Sequence, residues 1–220
     1  MEQPSFIYAL TAVFLLGYLL GSVPWGLLIG FLNGVDIRTK GSKNIGSTNV
    51  TRILGGAWGK ICFALDFLKG YLGVILGLWL AHKMGYQGDS IAKIWGGAGA
   101  LLGHIFPFWL RFKGGKGVAT GAGLAFAMAF WPIVLALLIW IFLEKKTHIV
   151  AIASLGAAAA LALLVVLFHL CGWEYIGWPV IILIWLMVAI VFYRHKENIQ
   201  RLMAGKENSF KKPAATKKIK

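Results

Sequence analysis

The sequence predicts an all-α integral membrane protein of seven helical segments, made of five full spans and a short broken hairpin at about 118–146. Three observations carry that expectation. Hydrophobic residues are 59% of the 220 and charged residues only 14%, where a soluble domain carries about 25% charge; mean hydropathy is +0.75. Six apolar runs approach or exceed the roughly 20 residues needed to cross a hydrocarbon core of about 30 Å. Basic residues, finally, gather in particular connections and avoid others, which sets an orientation.

The first apolar run, 5–31, is too long and too weakly basic at its front for a cleaved signal peptide, so it reads as the first span. The runs 57–82, 91–110, 118–143, 148–170 and 177–193 follow. Among the connections, 33–56 holds Arg38, Lys40, Lys43 and Arg52; 111–117 holds Arg111, Lys113 and Lys116; 144–147 holds Lys145 and Lys146. The tail from Arg194 holds nine Lys or Arg, whereas 83–90 and 171–176 carry only Lys83 between them. The four basic segments are therefore expected in the cytoplasm and the two poor ones outside.

Six simple spans cannot satisfy that assignment, because a single crossing at 118–143 would put Lys145, Lys146 and the whole basic tail outside. A break at Trp131-Pro132 repairs the parity, since proline interrupts a helix and disfavours helical geometry in the residue before it. Helices at about 118–130 and 132–146 would then enter and leave from the cytoplasmic side, with the N-terminus outside and the C-terminus inside. An ordinary proline-kinked span is the alternative. One transmembrane domain is expected over 1–208, with 209–220 a basic, disordered cytoplasmic tail.

The 22 Lys and Arg against 8 Asp and Glu give a net charge of +14. In a soluble chain that excess would suggest nucleic acid; here the charges sit in connections, so membrane lipid headgroups and anionic substrates are the expected partners and nucleic acid is not. Cys62 and Cys171 fall at opposite faces on this topology, no zinc-type spacing occurs, and neither a metal nor a cofactor is expected.

Three segments carry chemistry. GSKNIGSTNVTR at 41–52 supplies turn residues, hydroxyl and amide groups, and a guanidinium at Arg52 suited to bidentate phosphate binding. It also reads as a polar connection with Ser47, Thr48 or Asn49 capping a helix. GHIFPFWLRFKGGKGVAT at 103–120 sets Lys113 and Lys116 around Gly114 and Gly115 just before a helix at Val118. Backbone donors, a positive helix end and two cations there suit a phosphate, while membrane-surface anchoring is the other account of the lysines. Gly117 stands where an ATP-binding loop needs Ser or Thr, which disfavours nucleoside triphosphate hydrolysis. His104 reads more readily as a core or interfacial histidine than as a catalytic one. In HKENIQRLMAGKE at 195–207, His195 and Asn198 share a face if the last helix continues, and a snorkelling basic helix end is the competing reading. Asp66 and Lys69, three apart within the second span, read as a structural pair across a helix turn, while charges inside a membrane are by default functional suspects.

Together these segments resemble the bacterial acyl-phosphate:glycerol-3-phosphate acyltransferase family over nearly the whole chain. The first motif is carried by Gly41, Ser42, Asn44, Gly46, Thr48, Asn49 and Arg52, with Lys43 and Ser47 as departures. The second is carried by Gly103, His104, Pro107 and 112–120, and the third by His195, Asn198, Ile199, Arg201, Leu202, Gly205 and Glu207. GSVPWG at 21–26 and DFLKG at 66–70 are also similar. The resemblance implies transfer of a fatty acyl group from a long-chain acyl phosphate to the 1-hydroxyl of glycerol 3-phosphate, without a covalent enzyme intermediate. It also implies seven helices, a bacterial inner-membrane location and a cytoplasmic active site. No histidine has an aspartate five positions later, which separates the chain from acyltransferases with a His-x4-Asp motif. Where the family carries a serine shortly after the position of Thr147, this chain departs, with Ala151 and then Ser154.

On those substrates, His195, Asn198 and Ser42 are expected to be catalytic, the first two orienting the hydroxyl and polarising the carbonyl. Ser42 and Arg52, helped by Asn44 and Asn49, are assigned to the acyl phosphate; Lys113, Gly114, Gly115 and Lys116 are assigned to the phosphate of glycerol 3-phosphate. A substrate phosphate oxygen is expected to take the proton, there being no evident cytoplasmic Asp or Glu base.

Overall fold

A computed structural model describes residues 4–210, so most of the basic tail, 211–220, lies outside the described residues. The described residues form ten α-helices and no strand: α1 Pro4–Gly21, α2 Trp25–Leu32, α3 Ser47–Leu54, α4 Gly56–Lys83, α5 Asp89–Ile105, α6 Val118–Met128, α7 Phe130–Thr147, α8 Val150–Cys171, α9 Trp178–Arg194 and α10 Lys196–Met203. One turn of 3-10 helix lies at Phe108–Leu110. The stretches 6–32, 56–83 and 150–171 are long and apolar enough to cross a membrane, and α9 with α10 makes a fourth if the bent pair counts as one.

The first run is not one helix. Pro24, which has no backbone N–H, separates α1 from α2, and side chains satisfy the carbonyls the break exposes. Lys69 Nζ donates to Val23 O at 2.8 Å and Trp109 Nε1 to Ser22 O at 2.7 Å. In lipid such compensation is obligatory, because no water is present to do it.

Helices α1, α4 and α5 meet through glycines. A Cβ on Gly17 or Gly21 would strike the backbone of Gly96 or Ala100, and one on Gly99 or Gly103 the backbone at Phe14 or Tyr18. Small residues let the backbones approach where hydrophobic exclusion supplies no drive between helices. Farther along, α6, α8 and α9 share a core that includes Leu124, Val165 and Ile184.

The break in the fourth apolar run comes at Ala129, two residues earlier than the Trp131-Pro132 expected, and divides it into 118–128 and 130–147. Pro132 thus sits in the first turn of α7, where a missing N–H costs no intrahelical bond. The carboxylate of Glu174 caps that turn, accepting from Phe130 N at 2.8 Å and Trp131 N at 3.0 Å. Lys116, just before α6, bonds to Asn198, and His148, just after α7, accepts through its carbonyl from Phe210 N. The two limbs therefore start and finish beside the C-terminal segment, with their junction beside the 172–177 loop.

Candidate active site

The 41–52 segment is ordered by one buried amide. Asn49, 1% exposed, donates through Nδ2 to Ile37 O at 2.9 Å and Lys40 O at 3.2 Å, while its Oδ1 accepts from Ser42 N at 2.9 Å. Gly41 has φ +58 and sits so close to that amide that a side chain would collide with it. Asn44 Oδ1 accepts from Gly46 N at 2.8 Å, closing a turn that delivers the chain into α3. Ser47, Thr48 and Asn49 lie within the first turn of that helix, and Gly46 occupies the cap position. Ser42, Asn44, Asn49 and Arg52 all line one cavity. Asn49 serves it chiefly by holding Ser42, since its own polar atoms are already bonded.

The 111–117 loop behaves differently. Gly114 N donates to Ile105 O and Gly115 N to His104 O, each at 3.1 Å, and Arg194 Nη2 donates to Gly114 O at 3.0 Å. The two glycine amides expected to cradle a phosphate are thus committed to the end of α5, and the glycines are there for close packing against His104 and Pro107. Lys113 is exposed, and neither it nor Gly114 nor Gly115 lines the cavity. Lys116 does, with Gly117, Val118 and Ala119 at the start of α6. The first-turn N–H groups of a helix have no intrahelical partner and carry the positive end of its dipole. The donors available to an anion therefore come from the α6 terminus rather than from the glycine pair.

The last helix does not continue through the third segment. It bends by 56° at His195, between α9 and α10, and the bend, rather than a shared helical face, brings His195 and Asn198 to the cavity wall. His195 Nδ1 donates to Val191 O at 2.8 Å, so the neutral ring keeps its lone pair on Nε2. Asn198 Oδ1 accepts from Lys116 Nζ, and its Nδ2 donates to Glu207 Oε1 at 2.9 Å. Glu207 Oε2 in turn accepts from Arg201 Nε at 2.8 Å. Burial is the main cause that lowers the Lys116 ammonium to about 8, with Glu207 opposing it and Arg201 and Arg52 adding to it. Arg52, half-buried over the ring of Phe210 at 5.2 Å, is likewise lowered chiefly by burial. Lys116, Arg52 and Arg201 thus gather around Glu207, with Glu197 at 3.9 Å from Arg201, and three cations against two carboxylates leave positive charge in excess.

Several lining residues were not singled out from the sequence as site residues. Asp66 and Lys69 form the expected pair at 2.9 Å, but Asp66 also faces the cavity, and so does His104. Glu207 was visible only as part of a motif. Ser154, beside Ala151 on the wall, accepts from Trp140 Nε1 at 3.2 Å. Two apolar clefts adjoin the polar cavity. One, about 500 Å³, runs past Phe63, Ala122, Leu137, Trp140 and Phe210; the other lies among α6, α7, α8 and α9. No group of three His, Cys, Asp or Glu among the described residues is placed to hold a metal ion.

The profile of the family described as "Glycerol-3-phosphate acyltransferase" matches residues 11–205. A glycerol-3-phosphate acyltransferase of Aquifex aeolicus is 39% identical over 195 residues, covering 88% of this chain and 95% of the relative. One from Geotalea daltonii is 41% identical over 198 residues, covering 89% and 94%. The crystal structure of PlsY (YgiH), an integral membrane glycerol 3-phosphate acyltransferase, in its glycerol 3-phosphate form has a TM-score of 0.80 at 37% identity, covering 92% of this chain and 96% of that one. The lysophosphatidic acid form of PlsY gives 0.78 at 36% identity, covering 92% and 95%.

Proposed function

The chain belongs to the glycerol-3-phosphate acyltransferase family, and from that premise we propose that it transfers a fatty acyl group from acyl phosphate to the 1-hydroxyl of glycerol 3-phosphate. The observation that carries this reading is one cavity combining the α6 terminus, Lys116, Arg52 and the His195 Nε2 lone pair, adjoined by apolar clefts suited to an acyl chain. Lys116 and the α6 N–H groups hold the glycerol 3-phosphate phosphate; Ser42 and Arg52 hold the phosphate of the donor. His195 Nε2 accepts a hydrogen bond from the 1-hydroxyl, and the N–H of Asn198 not bonded to Glu207 faces the carbonyl oxygen.

Acyl phosphate is a mixed anhydride whose phosphate is a good leaving group, so direct attack needs no enzyme-bound acyl group. The hydroxyl oxygen bonds to the acyl carbon, the acyl carbon–phosphate oxygen bond breaks, and the departing phosphate takes the proton. Lysophosphatidic acid and inorganic phosphate result. Most of the rate enhancement would come from holding two anions in register and stabilising the oxyanion.

The positive-inside distribution supports placing this cavity at the cytoplasmic face of the bacterial inner membrane, within one domain spanning 1–208, N-terminus outside and C-terminus inside. Cysteines at 145 and 175, in a chain carrying Cys171→Ser, should label from opposite sides; same-side labelling overturns the orientation. The donor is tested by offering purified protein palmitoyl phosphate, palmitoyl-CoA and palmitoyl-carrier protein separately with glycerol 3-phosphate. Acylation from palmitoyl phosphate alone is expected. Efficient use of either thioester would overturn the donor assignment.

A further inference from the structure

The chemistry above leaves a buried polar cluster beneath the glycine loop unused. Asp66, Lys69 and His104 are 2%, 2% and 5% exposed. Lys69 is paired to Asp66 and fastened to Val23 O at the break between α1 and α2, so the carboxylate stands at a fixed point. His104 turns Nδ1 toward the oxygen that Lys69 holds, at 3.6 Å, too far for a hydrogen bond, and that nitrogen has no other hydrogen-bond partner among the described residues. At the other edge of the ring, Nε2 abuts Gly115, where an added Cβ would overlap it. The main chain makes the same connection, through the bonds from Gly115 N to His104 O and from Gly114 N to Ile105 O.

His104 is therefore wedged between an anchored carboxylate and the residue immediately before Lys116. Burying such charges is a poor way to gain stability, because apolar replacements often serve as well. A carboxylate behind an imidazole does, however, fix its tautomer and orientation. Displacing a binding group by about 1 Å is enough to cost much of its effect.

We propose that His104, held by Asp66, is a positioning residue that sets the height of the 114–117 loop and so places the Lys116 ammonium and the α6 terminus on the phosphate of glycerol 3-phosphate. This rests on the reading of the cavity as the glycerol 3-phosphate site. The ring borders the cavity, and the work assigned to it is to support the loop rather than to bond to either substrate.

A double-mutant cycle on acyl transfer from palmitoyl phosphate tests it. His104→Ala should raise the KM for glycerol 3-phosphate by about tenfold or more, with palmitoyl phosphate dependence and kcat within about threefold of wild type. Gly115→Ala should do the same from the opposite side, by pushing on the ring. In the double variant the new methyl enters space the imidazole has left, so the effects should not multiply. His104→Asn, which keeps a donor toward Asp66, should recover part of the loss. An unchanged KM in His104→Ala, or effects that multiply in the double variant, overturns the proposal. If His104→Ala fails to accumulate, an unchanged KM in Gly115→Ala overturns it alone. A wild-type protein that transfers no acyl group to glycerol 3-phosphate would instead overturn the functional reading itself.

Discussion

Two glycine-rich basic segments border the same cavity and use their glycines in opposite ways. In 41–52, Gly41 gives a left-handed turn beside Asn49, and the side chains of Ser42, Asn44 and Arg52 reach the cavity. In 111–117, Gly114 and Gly115 draw the backbone onto the end of α5, so of Lys113 through Lys116 only Lys116 reaches the cavity. Similar composition thus yields a segment that presents side chains and one that buries its backbone to present a single cation and a helix end. The first depends on an internal amide, the second on contacts with another helix.

The comparison predicts its largest effect at Asn49, where one side chain orders the entire first segment. Asn49→Ala removes three hydrogen bonds and strands the Ser42 N–H and the Ile37 carbonyl, while Lys40 O keeps its bond from Lys43 N. That should cost about 2–4 kcal/mol of local order. With Ser42 and Arg52 no longer held, kcat/KM should fall by roughly 30- to 1000-fold. Steady-state kinetics on variant protein that inserts normally would check this, and a loss under threefold would show that the segment holds itself together without Asn49.

Lys116 comes next. Lys116→Ala removes a charge-assisted contact of roughly 1.5–3 kcal/mol, or about ten- to a hundred-fold in glycerol 3-phosphate affinity, leaving palmitoyl phosphate dependence little altered. Lys116→Arg should also be poor, because a planar guanidinium does not occupy the place of a compact ammonium bonded to Asn198. Equal loss for both substrates would place Lys116 on the shared reaction centre rather than on one phosphate.

The helices and the site residues differed in how far the sequence disclosed them. Apolar runs located every long helix, since hydropathy is a local property. The breaks at Val23-Pro24 and His195 were not foreseen, because they depend on distant partners such as Lys69 for Val23 O. Pro132 was read as the place of the break, yet it sits inside α7 under the Glu174 cap. His195, Asn198, Ser42, Arg52 and Lys116, singled out by motif spacing, all line the one cavity. His104 looked like a core histidine and is indeed buried, but only the packing of α4 against α5 sets Asp66 beside it and makes it part of the cavity wall. Spacing suggests a phosphate cradle at the glycine pair but cannot tell that both amides are bonded to the end of α5.

A smaller effect should follow pH. In the free protein Lys116 lies at about 8, lowered because burial disfavours the ammonium, so the cation proposed to bind phosphate is lost as pH rises past that value. The glycerol 3-phosphate requirement should climb above pH 8 by at most about tenfold per pH unit. It should climb again below about 6, where a phosphate monoester takes up its second proton. In Lys116→Arg the alkaline limb should vanish, since guanidinium does not titrate in that range. An alkaline limb unchanged in that variant would assign the titration to another group.

The smallest effect is expected at Lys113, and it separates the two segments most sharply. Lys113 shares the loop with Lys116, but its side chain is exposed and away from the cavity. An exposed charge that close to a site still contributes a screened field, worth roughly 0.2–1 kcal/mol at low salt and less at physiological ionic strength. Lys113→Ala should therefore raise the glycerol 3-phosphate requirement by less than about threefold, with the difference shrinking as salt is added. The measurement is the concentration dependence of acyl transfer at two ionic strengths, for Lys113→Ala and Lys116→Ala side by side. A tenfold, salt-insensitive loss at Lys113 would mean that the loop turns over when substrate binds and presents both lysines. The contrast between a side-chain-presenting segment and a backbone-packed one would then fail.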